Sequence, residues 1–338
     1  MSTTTVYDIA KAAGVSRTTV LRALWDKEGI SKDTKERIIK LAAEMKYRPN
    51  HIARSLVTGQ SGFIGVVATP SLFQMSFNTI ELIERELSRA GYSMLLASSN
   101  GYEQGERTAL EKLDSNRVAG VIVIPTSHST SATAYNELME SGVKLVVVDR
   151  FMEGLNATQI VGNDYAVASL ATHHLIEQGH TNITYLAISL DAYAGRERLR
   201  GFRDAMDQAG IPMRPDSVVE TQFGEDFGYK AIERLFERDD PPTAVIARHD
   251  VVAAGVIRWL YSHGYKVPDD VSVVGNGDIW CSDLFRVPLT TIRHPINNMA
   301  RLGLRRLLDM LSGKDVPPRT ELVDVEMVVR ESTAPPSR

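Results

Sequence analysis

From residue 62 onward the chain alternates strand-length apolar runs with amphipathic stretches, and this alternation limits its fold more than any other feature. Apolar runs at 63–68, 93–97, 120–124, 145–148, 183–187, 244–247 and 271–274 read as buried strands. Between them, the spacing predicts helices near 78–90, 103–115, 132–141, 165–178, 196–209, 226–237 and 250–263. Strand–helix–strand alternation of this kind closes into parallel sheets through right-handed crossovers. The units are too many for one comfortable sheet, so two doubly wound sheets, divided near 155–165, are expected. The chain has no low-complexity tract and no short-period repeat.

The first fifty residues read differently, as three short helices. Thr5 and Asp8 have capping-box spacing, with Asp in place of the usual Glu, and Ile9, Ala10 and Ala13 follow at helical intervals. Gly14 breaks that helix and Ser16 can cap the next. Ser31 or Asp33 can cap a third, whose apolar stripe is Ile38, Leu41, Ala42 and Met45. The second helix has two faces. Val20, Ala23 and Leu24 fall on one side and can pack on the first helix. Positions 17, 18, 21, 22 and 25 fall on the other and carry Arg17, Thr18, Leu21, Arg22 and Trp25. Two short helices about a Gly14-Val15 turn give helix-turn-helix geometry, in which the second helix enters the major groove. Arg17 and Arg22 can donate bidentately to guanine, and Thr18 can bond several bases or touch a thymine methyl. The plainer alternative is a small helical bundle with a solvated polar face; the turn, the cap and the charge favour DNA.

That charge is unevenly placed. The formal net charge is −4, yet residues 1–60 hold eleven Lys/Arg against six Asp/Glu, a net of +5, which leaves −9 on the remainder. A basic head on an acidic body suits a head that alone meets a polyanion. The single cysteine, Cys281, forms no internal disulfide, and no thiol cluster exists for zinc. No apolar run follows a basic start at the N-terminus, and no segment approaches the ~18 apolar residues of a membrane span. A cytoplasmic protein with no cofactor and no metal is expected. An enzyme is disfavoured: phosphate-loop and nucleophile-elbow motifs are absent, and Gly275-Asn-Gly277 lacks the third glycine of a dinucleotide fingerprint. His173 and His174 are adjacent on a helix and point apart, so they lack metal-site spacing. A sugar-binding transport protein would share the body but not the basic head.

The stretch VYDIAKAAGVS at 6–16, with Thr19, Val20 and Arg22 after it, resembles the N-terminal signature of the LacI/GalR family of bacterial transcriptional regulators. SKDT at 31–34, YRPN at 47–50 and ARSL at 53–56 continue the likeness. It runs on through VVDR at 147–150, RLRGF at 198–202, PTA at 242–244, VSVVG at 271–275, PLTTI at 288–292 and REST at 330–333. Any one of these is weak, whereas their order and spacing are specific.

The resemblance implies an α/β chain of three parts. These are a helix-turn-helix DNA-binding domain (1–49), a hinge helix and linker (50–61), and an effector-binding and dimerisation domain (62–338). The last resembles the two-lobed, type I periplasmic-binding-protein-like sensor, with doubly wound parallel sheets. Its N-lobe would comprise about 62–160 and 292–320, and its C-lobe about 161–291 and 321–332. Arg17, Thr18 and Arg22 would touch bases, and Tyr7 and Ser16 phosphates. Residues 50–56, with Asn50 and Ala53, would form the hinge helix in the minor groove, and Leu56 would be the apolar lever between base pairs. The family usually has Ser where Leu21 stands and Asn where Trp25 stands. Leu21 is left to contact thymine methyls or to pack on a sugar edge or the neighbouring loop. Trp25 is left to place its indole N–H on a phosphate or to pack over 27–30. A pseudo-palindromic double-stranded operator mirrors a protein two-fold, so a homodimer is expected. The proline-bearing ending suits a dimer rather than a tetramer.

In the body, the resemblance places a ligand between the lobes, at the carboxyl ends of the strands. Matching motifs point to Phe77, Asp149, Arg150, Arg198, Phe223, His249, Asp250, Asp278 and Trp280. Aromatic faces with charged hydrogen-bonding groups suit a sugar. The bland readings are an Asp149–Arg150 pair and core packing for Phe77 and Phe223. His249 replaces the family's common Asn, and Gly277 stands where an acidic sugar ligand is often found. A carbohydrate effector is expected, with a larger saccharide, a sugar acid or a non-sugar metabolite as alternatives. Its binding would control operator affinity allosterically.

Overall fold

The computed structural model describes residues 4–24, 29–45, 47, 61–69, 77–125 and 132–337. The chain divides into two compact units, 1–61 and 62–338.

The first unit contains α1 (Val6–Ala13), α2 (Arg17–Leu24) and α3 (Lys32–Glu44). The start of α1 is a full capping box. The Thr5 hydroxyl accepts from the Asp8 amide, and the Asp8 carboxylate accepts from the Thr5 amide at 2.8 Å. Those bonds from Thr5 hold the Asp8 carboxyl below the usual carboxylate range. Gly14 ends α1 in the left-handed region at φ 64°, its N–H reaching the Ala10 and Lys11 carbonyls; a side-chain-bearing residue would be strained there by about 1–2 kcal/mol. The Ser16 hydroxyl then accepts from the Thr19 amide at 3.1 Å and starts α2. Ile9, Ala10, Val20, Ala23, Ile38 and Ala42 form one buried cluster, so each helix contributes two residues to a common core.

The second unit holds two six-stranded sheets. The first is built from β1 (Phe63–Ala68), β2 (Ser93–Ser98), β3 (Gly120–Val123), β4 (Lys144–Asp149), β5 (Thr158–Gly162) and β11 (Thr320–Val323), in the order β11-β5-β4-β3-β1-β2, every pair parallel. Helices α4 (Phe77–Arg89), α5 (Glu103–Ser115), α6 (Thr133–Glu140) and α11 (Ile296–Leu311) accompany it. The second contains β6 (Ile183–Ala187), β7 (Val218–Glu220), β8 (Ala244–Ala247), β9 (Ser272–Gly277), β10 (Thr290–Arg293) and β12 (Glu326–Val328). Its order is β12-β10-β9-β8-β6-β7, parallel except that β12 runs antiparallel to β10. Helices α7 (Asp164–Glu177), α8 (Tyr193–Gln208), α9 (Glu225–Phe236) and α10 (Asp250–Ser262) cover it. Both faces of each sheet are buried under apolar clusters, which is why the strands read as continuous apolar runs rather than alternating ones.

The chain passes between the sheets three times: after Gly162, after Arg293 and after Val323. Strands β5, β7, β10, β11 and β12 and helix α11 lie outside the elements expected from periodicity. β5 is disguised by Thr158 and Gln159, which are 1% and 2% exposed. The Gln159 side chain accepts from the Met152 amide at 2.8 Å and donates to the Met152 and Leu155 carbonyls, so its burial is satisfied. Helix α11 is interrupted in sequence by Gly303. A Cβ there would stand 2.7 Å from Val148 Cγ2, and the bare glycine lets the helix lie close on β4. Among the described residues, no helix is long and apolar enough to cross a membrane.

Candidate functional site

Helix α2 separates its residues by face as the spacing requires. Val20 and Ala23 are buried, while Ser16, Arg17, Thr18 and Arg22 are exposed. Tyr7, on α1, is 60% exposed. Leu21 is half-buried, yet it is not among the apolar side chains that pack on the core of this unit. The head therefore presents two guanidinium groups, a threonine hydroxyl and an apolar side chain on one short helix. Asn50, Ala53 and Leu56, like Trp25, lie outside the described residues.

In the second unit, the strand ends bring several of the expected ligand residues together. Asp149 closes β4 with φ 81°, a left-handed conformation that costs a non-glycine residue about 1–2 kcal/mol and is characteristic of functional sites. Arg150 follows it. Arg198, on α8, donates from Nε to Asp164 Oδ1 at 2.7 Å, with 12% and 8% of the two side chains exposed. Burial opposes the Arg198 charge, but Asp164, Tyr185 and Asp149 together outweigh it and hold the guanidinium above its ordinary range. Arg150 is pushed down, chiefly by burial and partly by Arg198, with Asp149, Asp164 and Glu106 opposing. Charges from both lobes thus act on one another across the strand ends.

His249 caps α10: its Nδ1 accepts from the Val251 amide at 3.2 Å. Phe223, 46% exposed, meets the His249 ring edge-on at 5.0 Å. Burial, with His294, Arg198 and Arg248 adding to it, lowers the His249 pKa to about 3. Phe77 begins α4; its side chain lies outside what is described.

Three further residues expected to meet the ligand have the following surroundings. Asp250 is fully buried. Its oxygens accept from Thr291 Oγ1 at 2.6 Å, Ser282 Oγ at 2.7 Å and the Ile279 amide at 2.9 Å, so the carboxylate braces the loop after β9. A Cβ at Gly275 would stand 2.2 Å from Asp250 Oδ1, which explains that glycine. Asp278 accepts from Arg293 Nε and Arg330 Nη2, both at 2.6 Å, and ties β10 to the C-terminal segment. Trp280 is 73% exposed and joins no aromatic pair among the described residues. A separate hollow of about 490 Å³ between β2 and α5, lined by Leu95, Leu96 and Lys112 among others, contains none of the expected ligand residues.

This geometry, a small basic helix-turn-helix unit and a two-sheet unit with charged strand ends, matches known proteins along nearly its whole length. Residues 5–50 match the model of bacterial regulatory proteins of the lacI family, and residues 172–333 that of the periplasmic binding protein-like domain. The HTH-type transcriptional repressor PurR of Mannheimia succiniciproducens is 31% identical over 330 residues, covering 97% of this chain and 98% of that one. The chain belongs to the lacI family of bacterial regulatory proteins. As a lacI-family chain it is a transcriptional repressor with a DNA-binding domain, not an enzyme. Its fold is similar to that of the chain in the crystal structure of the lac repressor dimer bound to operator and the anti-inducer ONPF, at TM-score 0.83 and 26% identity, covering 98% of this chain and 100% of that one. It is also similar to the transcriptional regulator CelR in its cellobiose complex, at TM-score 0.73 and 28% identity, covering 97% and 99%.

Sequence reasoning missed Asp164, Tyr185 and Arg248, which surround Arg198: Asp164 pairs with it, and Tyr185 and Arg248 act on the same charges. Asp164 opens a helix directly after a strand, a position where a carboxylate is favoured, and that signal was readable. Tyr185 lies inside an apolar strand and gives no signal of its own.

His249 also predicts a pH dependence. Its folded pKa lies below the ordinary histidine value of 6.5, so the unfolded chain binds the extra proton. Stability is then complete above about pH 6.5 and falls as the pH drops toward 3. Urea titrations at pH 7.0 and 5.5 should show a His249→Asn variant losing about 1 kcal/mol less than the parent on acidification. Equal losses would mean that His249 reaches solvent.

Proposed function

We propose that this repressor is a homodimer that binds a pseudo-palindromic operator through α2, and that a sugar or sugar derivative in the cleft between the two sheets controls its affinity. The observation that carries the reading is the face of α2: Arg17, Thr18 and Arg22 exposed above buried Val20 and Ala23, in the geometry that major-groove readers use. The lac repressor structure, a dimer on operator DNA, supports the dimer and the operator. The cellobiose complex of CelR supports a saccharide. For the ligand to regulate, it and the operator must prefer different states of the protein, with reciprocal coupling. The proposed division of labour gives α2 and residues 50–56, with Asn50, Ala53 and Leu56, to DNA, and Asp149, Arg150, Arg198, Phe223 and His249 to the effector.

The test is a gel shift of the full-length chain on genomic fragments from its own neighbourhood, with and without candidate effectors. Arg17→Ala should weaken the specific complex by about 1–3 kcal/mol, roughly five- to 150-fold in Kd. Leu21→Ser should preserve folding and change operator affinity, because Leu21 stands clear of the core. Absence of sequence-specific binding under every ligand condition would sink the regulator reading. Thermal-shift screening against saccharides and sugar acids then tests the effector class, since a bound ligand raises the melting temperature by mass action.

A further inference from the structure

We propose that the effector carries an anionic group, a carboxylate or a phosphate, seated on Arg248 with the Tyr185 hydroxyl and the His249 Nε2–H as neutral donors beside it. The inference rests on the effector-cleft reading above and narrows its ligand.

Arg248 stands at the C-terminal end of β8, directly before the cap of α10. It is half-buried and donates from Nη1 to the Thr221 carbonyl. Among the described residues it forms no ion pair, although Arg198 close by has Asp164. The full charges acting on Arg248 are Arg198 and Arg150, both positive. Burial first and then Arg198, with Arg150 adding and Tyr185 opposing, lower its pKa to about 10, so it stays protonated at neutral pH. A partly desolvated cation facing two others is unfavourable until an anion joins it.

Two neutral donors stand beside it: His249 follows Arg248 in the chain, and Tyr185 on β6 is in register with Ile246 on β8, two residues before Arg248. The Val251 amide donates to His249 Nδ1, so Nδ1 carries no proton and the neutral ring carries its hydrogen on Nε2. Nε2 is buried and has no hydrogen-bond partner. The Tyr185 hydroxyl, on β6, is likewise buried without a partner, and Arg198 and Arg248 both act on it. A buried donor left unmade costs about 1–3 kcal/mol, and two of them in one charged neighbourhood mark a place for an acceptor. A Cβ at Gly277 would stand 3.1 Å from His249 Nε2, so the glycine leaves the ground before that donor clear.

Three of the carboxylates nearby are engaged elsewhere, and Asp149 acts on Arg150, Arg198 and His294 rather than on Arg248. Asp164 holds Arg198, Asp250 holds Ser282, Thr291 and the Ile279 amide, and Asp278 holds Arg293 and Arg330. A neutral sugar hydroxyl accepts but also donates, and here it would meet three donors. A carboxylate or phosphate oxygen only accepts and brings the opposite charge, so it matches Arg248, Tyr185 and His249 together.

The experiment is thermal unfolding of the full-length chain, titrated separately with sodium phosphate and with sodium acetate, ionic strength held constant with NaCl. Saturable stabilisation by phosphate points to a phosphorylated effector and by acetate to a carboxylic acid; either supports the inference. Arg248→Met should weaken half-saturation at least fivefold, and Arg248→Lys less than Arg248→Met. Tyr185→Phe should weaken it while melting in NaCl alone stays equal or rises, because a buried unmade donor has been removed. This last variant keeps the test open if Arg248→Met fails to fold. No saturable effect of either anion, or unchanged half-saturation in both Arg248→Met and Tyr185→Phe, would overturn the inference. So would stabilisation by neutral saccharides alone, which leaves the effector-cleft reading standing. Loss of operator binding in gel shifts would instead strike the regulator reading and leave the anion result untouched.

Discussion

Replacing Arg198 by methionine should lower the unfolding free energy of the 62–338 unit by about 3 kcal/mol in urea titrations, although methionine fills much of the same space. The loss comes through the partner. Asp164 is 8% exposed, and Arg198 Nε sits 2.7 Å from its Oδ1. Without the guanidinium, the carboxylate remains buried with its compensating charge gone. Its position in the first turn of α7 tempers the penalty, because the helix N-terminus favours negative charge there. That is why the lower end of the usual range for a broken buried pair is expected. The double variant Arg198→Met, Asp164→Leu should recover most of the loss, since removing both charges also removes the desolvation penalty. A single-variant loss below about 1 kcal/mol would show that Asp164 finds another donor or water, and the pair would then be no anchor of the cleft.

How far such a site can be read from sequence depends on the range of the interactions that define it. The faces of α2 were legible because they rest on neighbours within one turn: Gly14 to end α1, Ser16 to start α2, and the spacing of Val20 and Ala23. The parallel strands were legible as apolar runs because each sheet is covered on both faces. β5 was not, because Gln159 is buried through bonds to Met152 and Leu155 that make a polar residue acceptable in a core. The same limit governs the carboxylates. Asp250 and Asp278 sit at strand ends, where a ligand would be met. What engages them is Thr291 and Arg330, 41 and 52 residues further along the chain. Sequence shows that an acid stands at a mouth, not which distant donors will close on it. Arg248 is the converse case: its meaning lies in the carboxylate it lacks, and that is visible only in three dimensions.

The segment RLRGF at 198–202 joins both kinds of information, and Gly201→Val should separate them. Arg198 holds Asp164, Leu199 is 8% exposed, and Phe202 is fully buried, its ring centroid 5.7 Å from that of Tyr185. Gly201 faces helix α7 so closely that a Cβ would stand 2.2 Å from the Tyr165 carbonyl oxygen and 3.2 Å from the Ser169 amide. Both are backbone atoms of a helix and cannot swing aside, so valine must drive α8 off α7. Overpacking typically costs 1–3 kcal/mol, and the upper end, about 3 kcal/mol, is expected where the obstacle is backbone. The displacement also acts on function. Asp164 is carried by α7 and Arg198 by α8, so parting the helices stretches their 2.7 Å bond and unseats the arginine proposed to hold the effector. Gly201→Val should therefore lose stability and ligand-induced stabilisation together, while the α2 head keeps its fold and its non-specific affinity for DNA. A variant that melts as the parent does and still responds to ligand would show that the two helices have room to spare, and that glycine at this position serves neither packing nor the site.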